Sequence, residues 1–314
     1  MNLLIGAATI GLILAPLALG VFISYRIYHT LDLTADGSFG VGAAVGAALL
    51  VRQLPPVAAT ALAAMAGIVA GGITGLLHTR FRVNAMLAGV LTTTAFYSAN
   101  LFIMGSGNLS LLSAESLVTL AERVGQRVFG LPPSLTLLGT TVSGGSLASL
   151  VLMGLLAGGL ALGLALFMGT ELGVAMRAAG NNPQMAKAVG IGVDRMIVLG
   201  LGLSNGLIAL AGSLFAQYQG FANIEMGIGS MVTGVATLMV GETLLGKRPL
   251  GRWIAGAVAG AVVFRLVVAG AVRAGLNPNA LKLVTALLVL SVLLLPELVG
   301  RARRRSAGMA QRHA

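Results

Sequence analysis

The sequence contains no cysteine and very little charge. Among its 314 residues there is no Cys, and only 9% are Asp, Glu, Lys or Arg. Without cysteine there can be no disulfide framework, no thiolate nucleophile and no cysteine-ligated metal. With 57% hydrophobic residues and a mean hydropathy of +0.95, the chain could not cover the surface of a soluble domain with polar groups. These features indicate a polytopic membrane protein.

Motifs for catalysis are missing from the sequence. The three histidines, His29, His78 and His313, lie far apart without metal-ligand spacing, and no Ser/His/Asp or paired-carboxylate arrangement stands out. The segment GETLLGKR (Gly241–Arg248) begins like a phosphate-binding P-loop. It lacks the Ser or Thr that must hold magnesium, and it ends a predicted membrane helix instead of following a strand. We therefore expect no catalytic residue, no metal and no nucleotide site on this chain.

Nine apolar runs divide the chain into candidate membrane-spanning helices. Each run is near the ~20 residues that a helix needs to cross a bilayer. The runs are Leu3–Ser24, Ser38–Leu54, Val57–His78, Val83–Met104, Leu147–Met168, Met196–Gln217, Ile228–Leu245, Trp253–Val272 and Ala280–Leu298. They predict an all-α bundle of about nine spans in a single transmembrane domain, residues 1–314. No basic residue precedes the first run, so we expect that run to be retained and not cleaved as a signal peptide.

Basic residues fix the expected orientation of the bundle. If every run crosses, most Lys and Arg fall on one side, which is then cytoplasmic. They are Arg80, Arg82, Arg177, Lys187, Arg195, Lys247, Arg248, Arg252 and the arginines of the tail 299–314. The formal charge of +11 thus reflects topology and not nucleic-acid binding. The N-terminus and the loop Gly105–Ser146 are expected outside, with Arg52 and Arg273 as isolated exceptions.

One segment of the outer loop, Ser113–Gly130, has the pattern of an amphipathic helix. Two interpretations stay open for it. It could be a landing site for an extracellular partner, or a helix that only covers the end of the bundle.

The longest polar interruption in the second half of the chain is the segment 169–194, here called the capped loop. Thr170 and Asn182 are placed to cap two short helices, and Pro183 stands at the first position of the second helix. The residues that would end the two helices are Gly180 and Gly190. Met185 contributes to a small apolar face. Because a simple connection between two spans needs no such ordered, amphipathic structure, we expect a docking surface.

The two ends of the chain resemble each other. Leu31–Leu49 and Ala222–Val240 each combine an acidic, glycine-broken entry with a helix of small residues. Ala66–Leu87 pairs loosely with Ala255–Leu276. Because one span lies between the two units, they would enter the membrane from opposite sides, which predicts an inverted repeat around a central site. A chance likeness between Ala/Gly-rich helices is the alternative.

A polar entry precedes the second span. The segment Asp32–Gly40 is too polar for the membrane core, and polar backbone at that depth survives only where protein or water satisfies it. A broken helix there would aim its N-terminal amides at a cavity. The alternative is that Asp36 and Ser38 only cap the second span. We expect a combination of the two, a structural cap that also borders the pathway. The residues assigned to a translocation pathway are Asp32, Asp36, Ser38, Phe39, Thr93, Asn100, Asn205 and Glu225.

Other polar or small residues lie inside spans. The threonines Thr92–Thr94 are consecutive on one helix, so they cannot all face the same neighbour. They either line a route or form hydrogen bonds across helices. Arg265 lies in mid-span and needs a carboxylate or a hydrated cavity, with Glu242 as the candidate partner. Repeated GxxxG runs, such as Gly67/Gly71/Gly75 and Gly154/Gly158, predict close helix packing.

Three stretches of the sequence carry a family resemblance. They are LDLTADGSFGVGAA (Leu31–Ala44), the whole of Glu171–Gly229, and VGETLLG (Val240–Gly246). They resemble the membrane permeases of bacterial ATP-binding-cassette (ABC) importers, in the branched-chain amino acid and ribose permease superfamily. Within it, the likeness is to the branch that works with substrate-binding proteins of the tryptophan/tyrosine-uptake type. The resemblance implies a type II-like importer permease in the bacterial inner membrane.

The resemblance also implies roles for the capped loop. Its region Asn181–Gly190 corresponds to the coupling helix that sits in a groove of the cytoplasmic ATPase. The residues assigned to ATPase coupling are Arg177, Asn181, Asn182, Pro183, Met185, Ala186, Lys187 and Gly190. The family often has Asp at position 181 or 182 and Arg at position 184, where this chain has Asn and Gln.

With this resemblance, the sequence predicts a homodimeric permease that moves a small polar solute, such as an amino acid, inward by alternating access. Its implied partners are a second permease copy, two cytoplasmic ATPase subunits and an extracytoplasmic binding protein, with no nucleic acid. No cofactor is expected on this chain, because ATP and magnesium belong to the ATPase. The competing hypotheses are an ion-coupled secondary transporter or channel and a non-transporting membrane scaffold.

Overall fold

The computed structural model describes residues 2–129, 134–137, 140–246, 249–275, 286, 287 and 290. Apart from its three described residues, the ninth predicted span, Ala280–Leu298, lies outside these ranges. The basic tail 299–314, His313, Lys247 and Arg248 lie outside them as well.

Helices account for most of the described chain. The helices are α1 (Asn2–Ile13), α2 (Ala15–Val21), a π-helical segment (Phe22–Ile27), α3 (Thr34–Val51), α4 (Pro56–Thr79), α5 (Ala85–Met104), α6 (Leu117–Phe129), α7 (Gly144–Gly169), α8 (Glu171–Asn181), α9 (Pro183–Ala188), α10 (Val193–Gln219), α11 (Ser230–Leu245) and α12 (Leu250–Arg273). The strands are β1 (Asn108–Ser110), β2 (Ser134–Leu137), β3 (Thr140–Ser143) and β4 (Phe221–Asn223).

Seven helical runs in the described ranges are long and apolar enough to cross a membrane. The first joins α1, α2 and the π-helical segment into one run, Leu3–Ile27, and the others are α3, α4, α5, α7, α10 and α12. An eighth apolar helix, α11, has only 16 residues. Eight of the nine predicted spans thus coincide with helices. The structure is a polytopic helical bundle, whereas the predicted number of nine spans is not confirmed.

The core of the bundle forms around α10, which packs along α3 and α4. Glycines on α3 and α4 let the backbones approach closely. A Cβ at Gly71 would lie 2.1 Å from the Leu201 carbonyl oxygen, and one at Gly42 would lie 1.9 Å from that of Ala209. By contrast, a Cβ at Gly158 on α7 would meet nothing within 4 Å. The GxxxG run of α4 therefore packs inside the chain, and that of α7 does not.

The two ends of the bundle differ in structure. At one end, β1 pairs antiparallel with β4, which joins the segment after α5 to the segment after α10. Helix α6 lies at this end, within the predicted range Ser113–Gly130. Its first backbone N–H, at Leu117, donates to Gln217 Oε1 of α10 at 2.9 Å. At the other end, α8 and α9 form the capped loop.

Candidate functional site

The capped loop consists of two helices whose predicted caps are present. Thr170 Oγ1 accepts a hydrogen bond from Gly173 N–H, and Asn182 Oδ1 accepts one from Met185 N–H at 3.0 Å. Because Pro has no N–H to satisfy, its place at the start of α9 costs nothing. Gly190 follows α9 with a φ of 85°, a left-handed conformation that favours glycine.

One predicted helix end was wrong. Gly180 does not stop the first helix, which continues to Asn181. The reason for glycine at this position is packing, because a Cβ there would lie 2.0 Å from the Ile27 carbonyl oxygen. Gly180 thus brings α8 into direct backbone contact with the end of the first membrane run.

Most of the residues assigned to ATPase coupling are exposed. They are Asn181, Asn182, Pro183, Met185, Lys187 and Gly190. Ala186 is instead fully buried, in a small apolar cluster with Ala179 and Val193. Arg177 is half-buried, and its Nε has no hydrogen-bond partner among the described residues. The loop therefore has an anchored inner face and a free outer face, on which Met185 is 48% exposed.

The residues after the first membrane run connect the capped loop to the bundle. The Tyr28 hydroxyl donates a hydrogen bond to the Met196 carbonyl oxygen of α10. Burial raises the pKa of the Tyr28 phenol, so this group remains a protonated donor. A crevice of about 180 Å³ lies beside it, lined in part by His78, Gly180 and Pro183. The capped loop, the first run and α10 are thus joined at one place.

The second membrane helix, α3, begins deep in the bundle. Its preceding residue Asp32 is 3% exposed, accepts from Thr34 N–H at 3.0 Å, and accepts from Asn205 Nδ2 at 2.6 Å. Asn205 is twelve residues into the 27-residue helix α10, about 18 Å from its start. Helix α3 is continuous from Thr34 through Gly40, and protein groups satisfy the polar entry that precedes it.

Hydroxyl groups extend this buried network. Thr34 Oγ1 lies 2.8 Å from Thr74 Oγ1, which in turn donates to Thr92 Oγ1 at 2.9 Å. Thr93 Oγ1 donates to the Leu33 carbonyl oxygen at 2.9 Å. The successive threonines of α5 thus face different neighbours, as expected. Thr92 is bonded to α4, and Thr93 is bonded to the residue that precedes α3.

Asp36 lies in the first turn of α3 but caps a different helix. Its carboxylate accepts from Gly229 N–H at 3.1 Å, Ser230 Oγ at 3.0 Å and Met231 N–H at 2.8 Å, all at the start of α11. Glycine is required beside it, because a Cβ at Gly227 would lie 1.9 Å from the Asp36 carbonyl oxygen. The alternative that Asp36 caps its own span is therefore wrong.

The two helices that meet at Asp36 run in opposite directions. Helix α3 runs alongside α10 toward the β1–β4 end, since Gly42 meets Ala209 and Gly46 meets Ser213. Helix α11 runs toward the capped-loop end. The two segments of similar sequence, Leu31–Leu49 and Ala222–Val240, thus come into direct contact inside the bundle.

The remaining residues assigned to the pathway are packed in different ways. Phe39 and Ser38 are buried, with Phe39 against Phe215 at 5.9 Å between ring centroids. Asn100 is 2% exposed, and its Oδ1, like Ser38 Oγ and Asn205 Oδ1, has no hydrogen-bond partner within the described ranges. Glu225 alone among the eight is exposed. The pathway role of these eight residues stays a prediction.

Helix α5 presents polar groups that the pathway assignment left out. Thr94 and Ser98 are exposed, and Tyr97 is 48% exposed. Their spacing of three and four residues places Thr94, Tyr97 and Ser98 on one face of the helix. The sequence shows that these three residues with hydroxyl groups lie on one predicted helix, but which of them are exposed could not be read from it.

The expected pairing of Arg265 with Glu242 is wrong. Glu242 accepts hydrogen bonds from Arg26 and, at 2.9 Å, from Trp253 Nε1. Trp253 stands in the first turn of α12, and Arg265 is twelve residues further along, about 18 Å away. Arg265 Nε has no hydrogen-bond partner in the described part of the chain. The sequence did not reveal that Arg26, at the end of the first run, would be close to Glu242.

Most of the chain is similar to known proteins. Residues 3–294 match the model of the family described as branched-chain amino acid transport system, permease component. The tyrosine transport system permease protein of Clostridioides difficile (strain R20291) is 35% identical over 293 residues, covering 93% of this chain and 91% of that protein.

Two further relatives extend the comparison. An uncharacterised protein of Rickettsia prowazekii (strain Madrid E), RP368, is 35% identical over 78% of each chain. The autoinducer 2 import system permease protein LsrC of Yersinia pseudotuberculosis serotype O:1b (strain IP 31758) is 28% identical, covering 69% of this chain and 52% of that protein. No solved structure matches the chain.

Proposed function

Because the chain belongs to the family of branched-chain amino acid transport system permease components, we propose that it is the membrane subunit of an ABC importer that moves an amino acid inward by alternating access. The observation that carries this proposal is the capped loop. Its outer face is exposed, while its inner face meets the end of the first membrane run at Gly180 and Ile27. A loop of this kind suits the transfer of movement from an ATPase to the bundle.

The solute that we propose is an amino acid with an aromatic side chain. The support is the similarity to a protein named as a tyrosine transport system permease, which extends over 93% of this chain. Another relative is named for autoinducer 2 import, so the family name alone does not define the solute. L-Tyrosine is therefore the first solute to test.

The proposed assembly contains two copies of this chain, two ATPase subunits that hold ATP and magnesium, and an extracytoplasmic binding protein. Each copy would lie in the bacterial inner membrane with nine spans, its N-terminus outside and its C-terminus in the cytoplasm. The position of Arg80, Arg82 and Arg195 at the capped-loop end of their helices supports this orientation. No cofactor is proposed on this chain.

The proposed pathway lies where α3 and α11 meet and where α5 presents its exposed polar face. An inverted repeat built from the two ends of the chain would place the starts of two membrane helices, α3 and α11, near the membrane centre. The contact between Asp36 and the start of α11 supports that arrangement. Polar side chains on the surface of a membrane helix are costly against lipid, so a second copy would cover Tyr97 and Ser98.

The test uses the capped loop. We expect Gly190→Val to reduce ATP-driven uptake of L-tyrosine in proteoliposomes about tenfold or more, because a β-branched residue is strained at a φ of 85° and would displace α9. The liposomes contain the permease with its ATPase and binding protein. Gly158→Ala is the matched control, since a Cβ there meets nothing within 4 Å.

Two results would contradict the proposed function. One is unchanged uptake by Gly190→Val while the ATPase remains bound. The other is uptake by the permease alone under an imposed ion gradient without ATP, which would favour the ion-coupled transporter.

A further inference from the structure

Arg26 joins the first membrane run to α11 and α12. Its Nε and one terminal nitrogen donate to the two oxygens of Glu242, a bidentate ion pair. The Trp253 indole N–H donates to the same carboxylate at 2.9 Å. The Glu242 side chain is 5% exposed and that of Arg26 is 20% exposed. Removal of either charge would leave the other in a largely dry environment.

The surroundings hold the Arg26 guanidinium in one position. Its central carbon lies 5.0 Å from the centroid of the Tyr25 ring and 6.0 Å from that of Trp253. Phe22 in turn packs edge-on against Trp253, with 5.3 Å between centroids. These residues belong to or face the π-helical segment, and π-helical turns occur frequently at functional sites.

The ion pair lies next to the contact that the capped loop makes with the bundle. Ile27, the neighbour of Arg26 in sequence, is the residue whose carbonyl oxygen meets Gly180 of α8. Glu242 lies three residues before the end of α11. At its other end, α11 is held by the Asp36 carboxylate of α3. Helix α11 is thus fixed at one end near the capped loop and at the other end deep in the bundle.

We propose that Arg26 and Glu242 are positioning residues that make α11 follow the capped loop, so that movement of α8 reaches the contact between α11 and α3. The proposal rests on the proposed function, since it assigns the route by which the ATPase acts on the membrane helices. It predicts that loss of the pair disconnects ATP hydrolysis from transport without removing the ATPase.

The experiment compares transport with hydrolysis in the reconstituted importer. For Arg26→Gln and Glu242→Gln, we expect the number of L-tyrosine molecules moved per ATP hydrolysed to fall roughly two- to thirtyfold. Arg26→Lys keeps the charge but loses the bidentate geometry, so the number of L-tyrosine molecules moved per ATP should fall less than in Arg26→Gln. The double exchange Arg26→Glu with Glu242→Arg should recover part of the ratio. Arg123→Gln is the control, because Arg123 pairs with Glu115 at the β1–β4 end and both side chains are exposed.

A second measurement reports on α11 directly. The chain has no cysteine, so Val232→Cys, on the exposed surface near the start of α11, provides a single labelling site. We expect its rate of modification by a thiol reagent to depend on the nucleotide state of the importer. In the presence of Arg26→Gln this dependence should disappear.

The outcomes separate this inference from the proposed function. If Arg26→Gln and Glu242→Gln lower uptake and ATP hydrolysis in parallel, together with thermal stability, the pair is only structural and the inference is overturned. Retention of the nucleotide dependence at position 232 would overturn it as well. If the unmodified permease never assembles with an ATPase, the proposed function fails, and this inference fails with it.

Discussion

At the scale of single residues, Asp36 shows that an acidic side chain in a membrane helix can serve a helix other than its own. Three donors at the start of α11 converge on its two oxygens. The N-terminus of a helix carries a partial positive charge, so the carboxylate is stabilised by its position as well as by the hydrogen bonds. The cost of a charge in the bundle is offset in this way, with no basic partner for Asp36 among the residues that the structure describes.

Replacement of Asp36 tests this account. Asp36→Ala leaves the N–H groups of Gly229 and Met231 without their acceptor, so we expect the free energy of unfolding to fall by about 2–4 kcal/mol. Asp36→Asn should cost less, since its amide oxygen still accepts. The single Trp253 allows thermal unfolding in detergent to be followed by fluorescence. Glu225→Ala, at an exposed position, is the control, and an equal loss there would contradict the assignment.

At the scale of elements, the packing of α4 on α10 depends on a row of glycines. A Cβ at Gly71 would meet the Leu201 carbonyl oxygen, and one at Gly75 would meet the Val198 Cα at 2.8 Å. Neither contact involves a flexible side chain. Because the atoms in the way are backbone, the helices would have to separate to admit a methyl group.

Neighbouring glycines of α4 provide a matched test of that packing. We expect Gly71→Ala to destabilise the protein by roughly 1–3 kcal/mol, because overpacking at a backbone contact forces the helices apart. A Cβ at Gly72 would meet nothing within 4 Å, so Gly72→Ala should be neutral or slightly stabilising. The measurement is the unfolding temperature of the two variants in the same detergent, which should be lower for Gly71→Ala than for Gly72→Ala. Equal values would mean that the close approach does not matter for stability.

Helix positions could be predicted from the sequence, whereas pairings between helices could not. The length of each apolar run predicted a helix because a bilayer span needs a fixed number of residues. The start of α3 at Thr34, four residues before the predicted Ser38, depends on Asp32 and Asn205, which are 173 positions apart. The partner of Glu242 is likewise 216 positions away, at Arg26. Hydropathy carries no information on such distant contacts.

Within the candidate site, the features that depend on residues close in sequence were predictable. The caps at Thr170 and Asn182 depend on residues three positions away, so the sequence was sufficient to identify them. The end of α8 was misplaced because Gly180 serves a contact with Ile27, which belongs to a distant part of the chain. Glycine at a helix end and glycine at a helix contact have the same appearance in a sequence.

At the scale of the whole molecule, the exposed faces of α5 and α7 differ in chemistry. Helix α7 presents Leu155, which is 71% exposed, and Leu162, which is 62% exposed, as expected for a surface against lipid. Helix α5 presents Thr94, Tyr97 and Ser98. The Thr94 hydroxyl donates to the Val90 carbonyl oxygen of its own helix at 2.9 Å. Since hydrocarbon chains cannot satisfy the hydroxyl groups of Tyr97 and Ser98, the face of α5 suits contact with protein or with a hydrated pathway. This difference distinguishes a partner face from a lipid face.

Cysteine crosslinking tests that distinction in a chain that has no cysteine of its own. In a two-fold symmetric dimer, residues beside the axis lie near their own copies, and a disulfide forms only when the two Cα atoms are within about 7 Å. We expect at least one of Thr94→Cys, Ser98→Cys and Leu101→Cys to give a dimer on oxidation in native membranes. Leu155→Cys on α7 should remain monomeric. A dimer from position 155, with none from the α5 positions, would place the interface on α7 and require the pathway to be reassigned.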